Sequence, residues 1–158
     1  SPLLEPDARV CSSYAASCAH IMTKSLLRVT ISNITVNADE MSRTDEEITQ
    51  LSKSNPDTLS VEELLYAATL TNDLDEKLRI YKLTKAQYPK DWRGHNNVGY
   101  ILVMKNDMKG AKAEFVAAAG VEKNTTVSNN LGVIELFNDN VTEAKSMFDA
   151  ASGAGKEV

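Results

Sequence analysis

Cysteine and histidine are the residues of this chain best suited to nucleophilic or metal chemistry, and there are two of each. Cys18 lies two positions before His20, which points the two side chains to different faces of a helix, whereas a thiol nucleophile needs an adjacent base. Cys11 lies seven positions before Cys18, about 10 Å along a helix axis and too far for a disulfide. His95 is distant from both cysteines in sequence. The pattern therefore predicts no catalytic site.

Motifs for metals, phosphates and calcium are also missing from the 158 residues. The cysteine spacing fits neither a CxxC motif nor a zinc site, and there is no HExxH, glycine-rich phosphate loop or calcium-binding loop. We therefore expect a protein that is not an enzyme and has no metal or cofactor. The net charge of −5 gives no basic excess for nucleic acid, and no apolar stretch reaches the ~20 residues of a transmembrane helix.

Two segments with nearly the same sequence lie 33 residues apart. Residues 96–107 read NNVGYILVMKND, and residues 129–139 read NNLGVIELFND. The same offset relates three further pairs: Gly99 and Gly132, Ala111 and Ala144, Phe115 and Phe148. Both segments end in an Asn-Asp pair, and a third such pair lies at 72–73. Apolar residues follow helical spacing before and after each pair. The sequence predicts three helix-turn-helix repeats, here called repeat 1 (58–91), repeat 2 (92–124) and repeat 3 (125–158).

Gly99 and Gly132 each lie inside a predicted helix, where glycine costs roughly 0.5–1 kcal/mol relative to alanine. Their recurrence at one position of the repeat indicates a compensating contact. We expect the second helix of each hairpin to pack directly on the glycine backbone. The opposing residues are the alanine and phenylalanine that recur with each glycine. A larger residue at Gly99 is then expected to overpack the hairpin.

The pattern of Leu/Val-Gly, Ala, Phe/Tyr, Ala and Pro at a spacing of about 34 residues resembles the tetratricopeptide repeat. Repeats 2 and 3 carry the pattern most completely. Repeat 1 keeps Leu64 and Tyr81 but has Leu65 and Lys77 where small residues are usual. The resemblance implies a right-handed α-α superhelix over residues 58–158.

A narrower resemblance concerns the stretch 59–99, which is similar to repeats that follow OmpA-like domains in cell-envelope proteins of Bacteroidetes. This resemblance implies a parent protein in the periplasm or associated with the outer membrane. A cytoplasmic location stays open. The peptidoglycan-binding residues of an OmpA-like domain are not recognisable in the sequence, so that activity is not carried over.

In the tetratricopeptide family, the first helices of successive repeats line a concave groove that binds an extended peptide or a partner helix. Carried over by position, the groove residues are Glu62, Tyr66, Arg93, Asn96, Tyr100, Asn129 and Val133. An asparagine side chain can bond both the N–H and the C=O of a peptide. Asn96 and Asn129 therefore either hold a peptide, remain solvated or bridge adjacent helices. For Asn97 and Asn130, the next pair along the chain, we expect a bridge between helices.

Residues 1–57 do not repeat and are predicted to form a small mixed α/β segment. Helical spacing covers 7–22, a β-branched run at 26–36 predicts a strand, and the capping box Thr44–Glu47 opens a short helix through Leu51. Self-association has two candidate surfaces. One is the strand, and the other is the last repeat, which no polar capping helix follows in this sequence.

The sequence therefore predicts a mainly α protein, with a tetratricopeptide-like superhelix of about three repeats after a small α/β segment. The predicted function is a non-enzymatic scaffold that binds a peptide or partner protein in the groove. The alternative is a structural spacer or self-assembly module of a larger outer-membrane-associated protein. Replacement of a groove residue distinguishes the two predictions, because only a scaffold should then lose binding.

Overall fold

The computed structural model of the protein describes residues 43–153. Seven α-helices and two short 3₁₀ turns contain 81% of these residues, and none of residues 43–153 lies in a β-strand. This part of the chain is mainly helical, as predicted. The predictions that lie outside the described residues concern the helix at 7–22, the strand at 26–36 and self-association through it, Cys11, Cys18 and His20.

The helices follow one another with short connections. They are α1 (Asp45–Ser54), α2 (Val61–Ala67), α3 (Leu74–Gln87), α4 (Trp92–Met104), α5 (Met108–Val121), α6 (Thr125–Phe137) and α7 (Val141–Gly153). The two 3₁₀ turns, Pro56–Thr58 and Ala68–Leu70, lie before and after α2. The helix pairs α2–α3, α4–α5 and α6–α7 correspond to the three predicted hairpins.

Side chains that cap the helix N-termini explain where α1 and α2 begin. Thr44 and Glu47 form the predicted capping box of α1, and Ser60 and Glu63 form a second capping box at the start of α2. Each box satisfies two backbone N–H groups that have no partner inside the helix.

Aspartate and asparagine residues form the turns inside the hairpins, as predicted. Asp73 accepts a hydrogen bond of 2.9 Å from a first-turn backbone N–H of α3, and Asp107 accepts one of 2.8 Å at the start of α5. Asn106 and Asp139 have positive φ angles of 68° and 59°. Asparagine and aspartate tolerate this conformation better than most residues. Repeats 2 and 3 therefore turn through the same left-handed step.

Successive helices pack against one another, both within each hairpin and between α3 and α4 and between α5 and α6. Two groups of buried side chains result. One joins Ile48 of α1 to residues of α2, α3 and α4, and the other joins Val103 of α4 to residues of α5 and α6. Tyr100 and Leu102 pack against both groups. The core therefore runs continuously through these helices.

Helix α1 packs on the first hairpin, although it precedes the predicted repeats. Ile48 is fully buried in the same group as Leu64 and Leu65. Arg79 of α3 donates a hydrogen bond of 3.0 Å to the backbone carbonyl of Ser52. Helix α1 thus covers one end of repeat 1, a contact that the sequence did not predict.

Candidate functional site

The contact predicted at the two repeated glycines is confirmed. A Cβ atom built on Gly99 would lie 2.7 Å from Cε1 of Phe115, and one on Gly132 would lie 2.6 Å from Cε1 of Phe148. Carbon atoms pack at about 3.5–4.0 Å, so neither position has room for a side chain. Each phenylalanine ring therefore rests on the backbone of the preceding helix, which positions the two helices of the hairpin.

An ion pair links the predicted groove residues of repeats 1 and 2. Arg93 Nη2 lies 2.7 Å from Glu62 Oε1 across the repeat boundary, and 2.7 Å from Oδ2 of Asp91. Burial would raise the pKa of Asp91, but the hydrogen bonds and charge of Arg93 outweigh it and lower that pKa. The Tyr66 hydroxyl donates to Asp45 of α1 at 3.0 Å. Both groove residues of repeat 1 are thus bonded to neighbouring elements.

Asn96 lies between helices and is only 1% exposed. Asn130 Nδ2 of α6 donates to Asn96 Oδ1 at 2.8 Å, and Asn96 Nδ2 donates to Asn97 Oδ1 at 3.2 Å. Of the alternatives left open for Asn96, the structure thus shows a bridge between adjacent helices. Two buried amide atoms, Asn97 Nδ2 and Asn130 Oδ1, have no hydrogen-bond partner among the described residues.

Val133 is buried as well, and so it and Asn96 offer no surface to a ligand. Tyr100 and Asn129 have partly exposed side chains. Tyr100 lies close to Tyr81, whose pKa is raised to about 12 by burial, with a smaller contribution from Tyr100. Five of the seven predicted groove residues therefore reach the surface, namely Glu62, Tyr66, Arg93, Tyr100 and Asn129.

Two further ion pairs join repeats 1 and 2. Lys85 Nζ lies 2.5 Å from one carboxylate oxygen of Glu114, and His95 Nδ1 lies 2.8 Å from the other. Burial would raise the pKa of Glu114, but the hydrogen bonds and charges of Lys85 and His95 outweigh it and lower that pKa. Lys105 pairs with Asp75 at 2.6 Å. These pairs were not predicted; for the two lysines, the signal that could have found them was an opposite charge 29 or 30 residues away.

A further close approach at Gly94 was not predicted. A Cβ atom there would lie 2.8 Å from the backbone nitrogen of Lys85. Helix α4 therefore packs closely on α3 of the preceding hairpin. Gly94 has no glycine counterpart 33 residues later, so the repeat pattern could not reveal this contact.

Helix α6 covers one surface of repeat 2, and the corresponding surface of repeat 3 is more exposed. Val103 is fully buried, whereas Leu136, its counterpart in repeat 3, is 44% exposed. Met108 packs against the core, whereas its counterpart Val141 is 65% exposed. Helix α6 follows repeat 2, but no described helix follows α7. We define the C-terminal face as the surface that carries Asn129, Leu136, Val141 and Phe148.

Residues 43–153 contain no group of three or more histidine, cysteine, aspartate or glutamate side chains that could hold a metal ion. None of the helices described in this range has the length and apolar character needed to cross a bilayer. His95, the one described residue among the candidates for catalysis, is held in the cluster with Glu114 and Lys85.

No protein-family model matches this chain, and the search of curated proteins found no similar sequence. The described residues define a class through their own architecture, a mainly helical chain built from helical hairpins packed in sequence order. The resemblances to the tetratricopeptide repeat and to envelope proteins of Bacteroidetes stay predictions from the sequence.

Proposed function

We propose that this protein is a non-enzymatic scaffold with a tetratricopeptide-like superhelix, and that it binds a peptide or partner protein along α2, α4 and α6. The observation that carries the proposal is the recurrence of one hairpin, with a glycine–phenylalanine contact at the same position of repeats 2 and 3. Stacked repeats present equivalent helices side by side and so create an extended concave surface for binding.

The five partly exposed groove residues supply chemistry suited to a peptide. Tyr66 and Tyr100 offer large contact areas that lose little conformational entropy on binding. The Asn129 amide can bond both groups of a peptide backbone. Glu62 and Arg93 add one charge of each sign, so the groove does not select strongly for an acidic or a basic ligand. A location in the cell envelope is part of the proposal and rests on the sequence resemblance alone.

Peptides selected by display against the full chain would test the groove. Their affinities are measured for Tyr66→Ala and Tyr100→Ala, with Val116→Ala as control because Val116 is 54% exposed on α5. We expect the tyrosine variants to bind about tenfold more weakly, as is typical of aromatic anchors, and the control to bind normally. Circular dichroism checks that each variant is folded. Equal affinities for all variants would contradict binding in the groove.

A structural spacer is the second candidate, and the exposed C-terminal face favours it. Such a protein would be indifferent to Tyr66→Ala and Tyr100→Ala. It would instead be sensitive to a charge placed on the C-terminal face, for example at Leu136. The two tyrosine variants therefore separate the candidates.

A further inference from the structure

Helix α6 is attached to repeat 2 by three kinds of contact. Its apolar side chains pack in the group that buries Val103. Its carboxamide at Asn130 donates to Asn96 at 2.8 Å. Its carboxylate at Glu135, five residues later, lies 2.7 Å from Nζ of Lys112. Repeat 2 therefore binds this largely apolar helix through an apolar surface, an amide acceptor and a cation.

Repeat 3 has an equivalent apolar surface, amide and cation at the corresponding three positions, 33 residues later in the sequence. Leu136 replaces Val103 as the apolar surface, Asn129 replaces Asn96 as the amide, and Lys145 replaces Lys112 as the cation. Leu136 and Lys145 are exposed, and among the described residues Lys145 pairs within its own helix, with Asp149 at 2.7 Å. The C-terminal face thus continues the interface that α6 occupies on repeat 2.

A buried oxygen without a hydrogen-bond partner is a second indication that a helix binds at this face. Asn130 Oδ1 is buried without a hydrogen-bond partner among the described residues. In repeat 2, the equivalent oxygen of Asn97 accepts from Asn96 Nδ2, while Asn96 Oδ1 accepts from the next helix. By the same arrangement, a donor that reached Asn129 Oδ1 would orient Asn129 Nδ2 toward Asn130 Oδ1. Asn130 Oδ1, the atom without a partner, would then accept a hydrogen bond from Asn129 Nδ2.

We propose that the C-terminal face binds an amphipathic helix of a partner that presents a carboxamide and, five residues later, a carboxylate on its apolar side. The carboxamide donates to Asn129, the carboxylate pairs with Lys145, and apolar side chains cover Leu136 and Phe148. The partner helix therefore reproduces the chemistry that α6 presents to repeat 2. This binding does not depend on a ligand in the groove.

A labelled peptide of residues 122–138, which carries the α6 sequence, is the probe, and the full-length chain is titrated into it. We expect saturable binding that Leu136→Glu weakens about tenfold or more, because the new charge would be buried. Val116→Glu, exposed on α5, should leave the affinity unchanged, as should Tyr66→Ala in the groove. The Asn130→Leu peptide, which lacks the amide donor, should bind more weakly. Binding that survives Leu136→Glu would overturn the proposal.

Charge reversal tests the register of the docked helix. The Glu135→Lys peptide should bind the natural chain more weakly, since two cations would then face each other. The Lys145→Glu chain should regain affinity for that peptide, because the pair is restored with opposite polarity. If the two reversals weaken binding additively, the proposed pairing of the carboxylate with Lys145 is wrong.

Short isolated helices are only marginally stable in water, so a peptide that fails to bind would not by itself decide the question. A second measurement therefore tests the proposal without an isolated peptide. A second copy of residues 121–153 is inserted directly after Gly153. The α6 helix of this copy is then covalently attached next to the C-terminal face. We expect Leu136→Glu to leave the unfolding midpoint nearly unchanged in the natural chain and to lower it strongly in the extended chain. Equal shifts in the two chains would overturn the proposal whatever the peptide does.

Discussion

Repeats 2 and 3 contain the same hairpin in two different environments. Phe115 and Phe148 both rest on a glycine backbone at almost the same distance, yet Phe115 is fully buried and Phe148 is only partly buried. Ala118 is likewise fully buried, whereas its counterpart Ala151 is partly exposed. Contacts inside a hairpin depend on its own residues, but burial depends on the helix that follows. Equivalent substitutions in the two repeats should therefore have the same sign and different magnitudes.

The largest difference is expected from truncation of the two phenylalanines. Phe115→Ala should destabilise the protein by about 3–5 kcal/mol, because a fully buried ring leaves a cavity. Phe148→Ala should cost clearly less, since solvent already reaches part of that ring. Urea unfolding of both variants at constant m-value measures the two losses. Equal losses would mean that the third hairpin is covered as completely as the second.

A leucine at each repeated glycine should give the next largest effect. Gly99→Leu should lower the thermal midpoint by several degrees, from overpacking worth about 1–3 kcal/mol, because the buried Phe115 ring has no space to move into. Gly132→Leu should lower it less, because the ring of Phe148 can turn toward solvent. Gly120 on α5 is the control, because a Cβ atom added there would have no neighbouring atom within 4 Å.

At Gly120, leucine should leave the midpoint unchanged or raise it, because leucine favours a helix more than glycine does. An unchanged midpoint for Gly99→Leu would contradict the close contact between α4 and α5. A fall for Gly120→Leu as large as that for Gly99→Leu would show instead that leucine is harmful at any position on these helices.

The hairpins were predictable because their contacts repeat within the chain. Gly99 and Phe115 recur at Gly132 and Phe148, so one physical reason had to explain both pairs, and the sequence spacing was sufficient to find it. The packing of α1 was not predictable in this way. Ile48 belongs to a helix outside the repeat pattern, so no second example in the chain pointed to its partners.

The groove was predicted less well, because identical residues at equivalent positions have different neighbours. Asn96 and Asn129 are indistinguishable in a repeat alignment, yet the donor at Asn130 covers and bonds the first of them. The ion cluster around Glu114 involves residues that do not recur, since Met147 takes its place in repeat 3. Burial between repeats is a property of the stack, and single-repeat patterns carry little information about it.

The two asparagines offer a test of this distinction. Asn96→Ala should cost about 1–3 kcal/mol, because it leaves Asn130 Nδ2 and Asn97 Oδ1 buried without partners. Asn129→Ala should change stability by less than about 0.5 kcal/mol, as for an ordinary surface substitution. Thermal unfolding of the two variants provides the comparison. If Asn129→Ala is as harmful as Asn96→Ala, then Asn129 is already engaged in a buried bond and the C-terminal face is not open.

Acid should produce the smallest effect, and Glu114 is one of the groups through which it should act, at the boundary of repeats 1 and 2. Lys85 and His95 outweigh burial and lower the pKa of Glu114 below its ordinary value of 4.5. The unfolded chain therefore binds this proton more tightly than the folded chain does. The resulting stabilisation is present above the unfolded pKa and is lost as the pH falls through the folded pKa.

Glu114→Gln tests this by removing the titrating group from that boundary. The variant should be less stable at neutral pH by about 1 kcal/mol or less, because the pairs are partly exposed and screened. Its midpoint should also fall less steeply on acidification, and Glu143→Gln, which removes an exposed carboxylate of α7, is the matched control for the loss of one negative charge. Repeat 3 has Met147 in place of Glu114, so this ion cluster has no counterpart there. If Glu114→Gln followed the natural chain throughout the titration, the ion cluster would hold the two repeats no better than neutral side chains do. Their packing would then rest on the apolar core, the close approach at Gly94 and the remaining ion pairs.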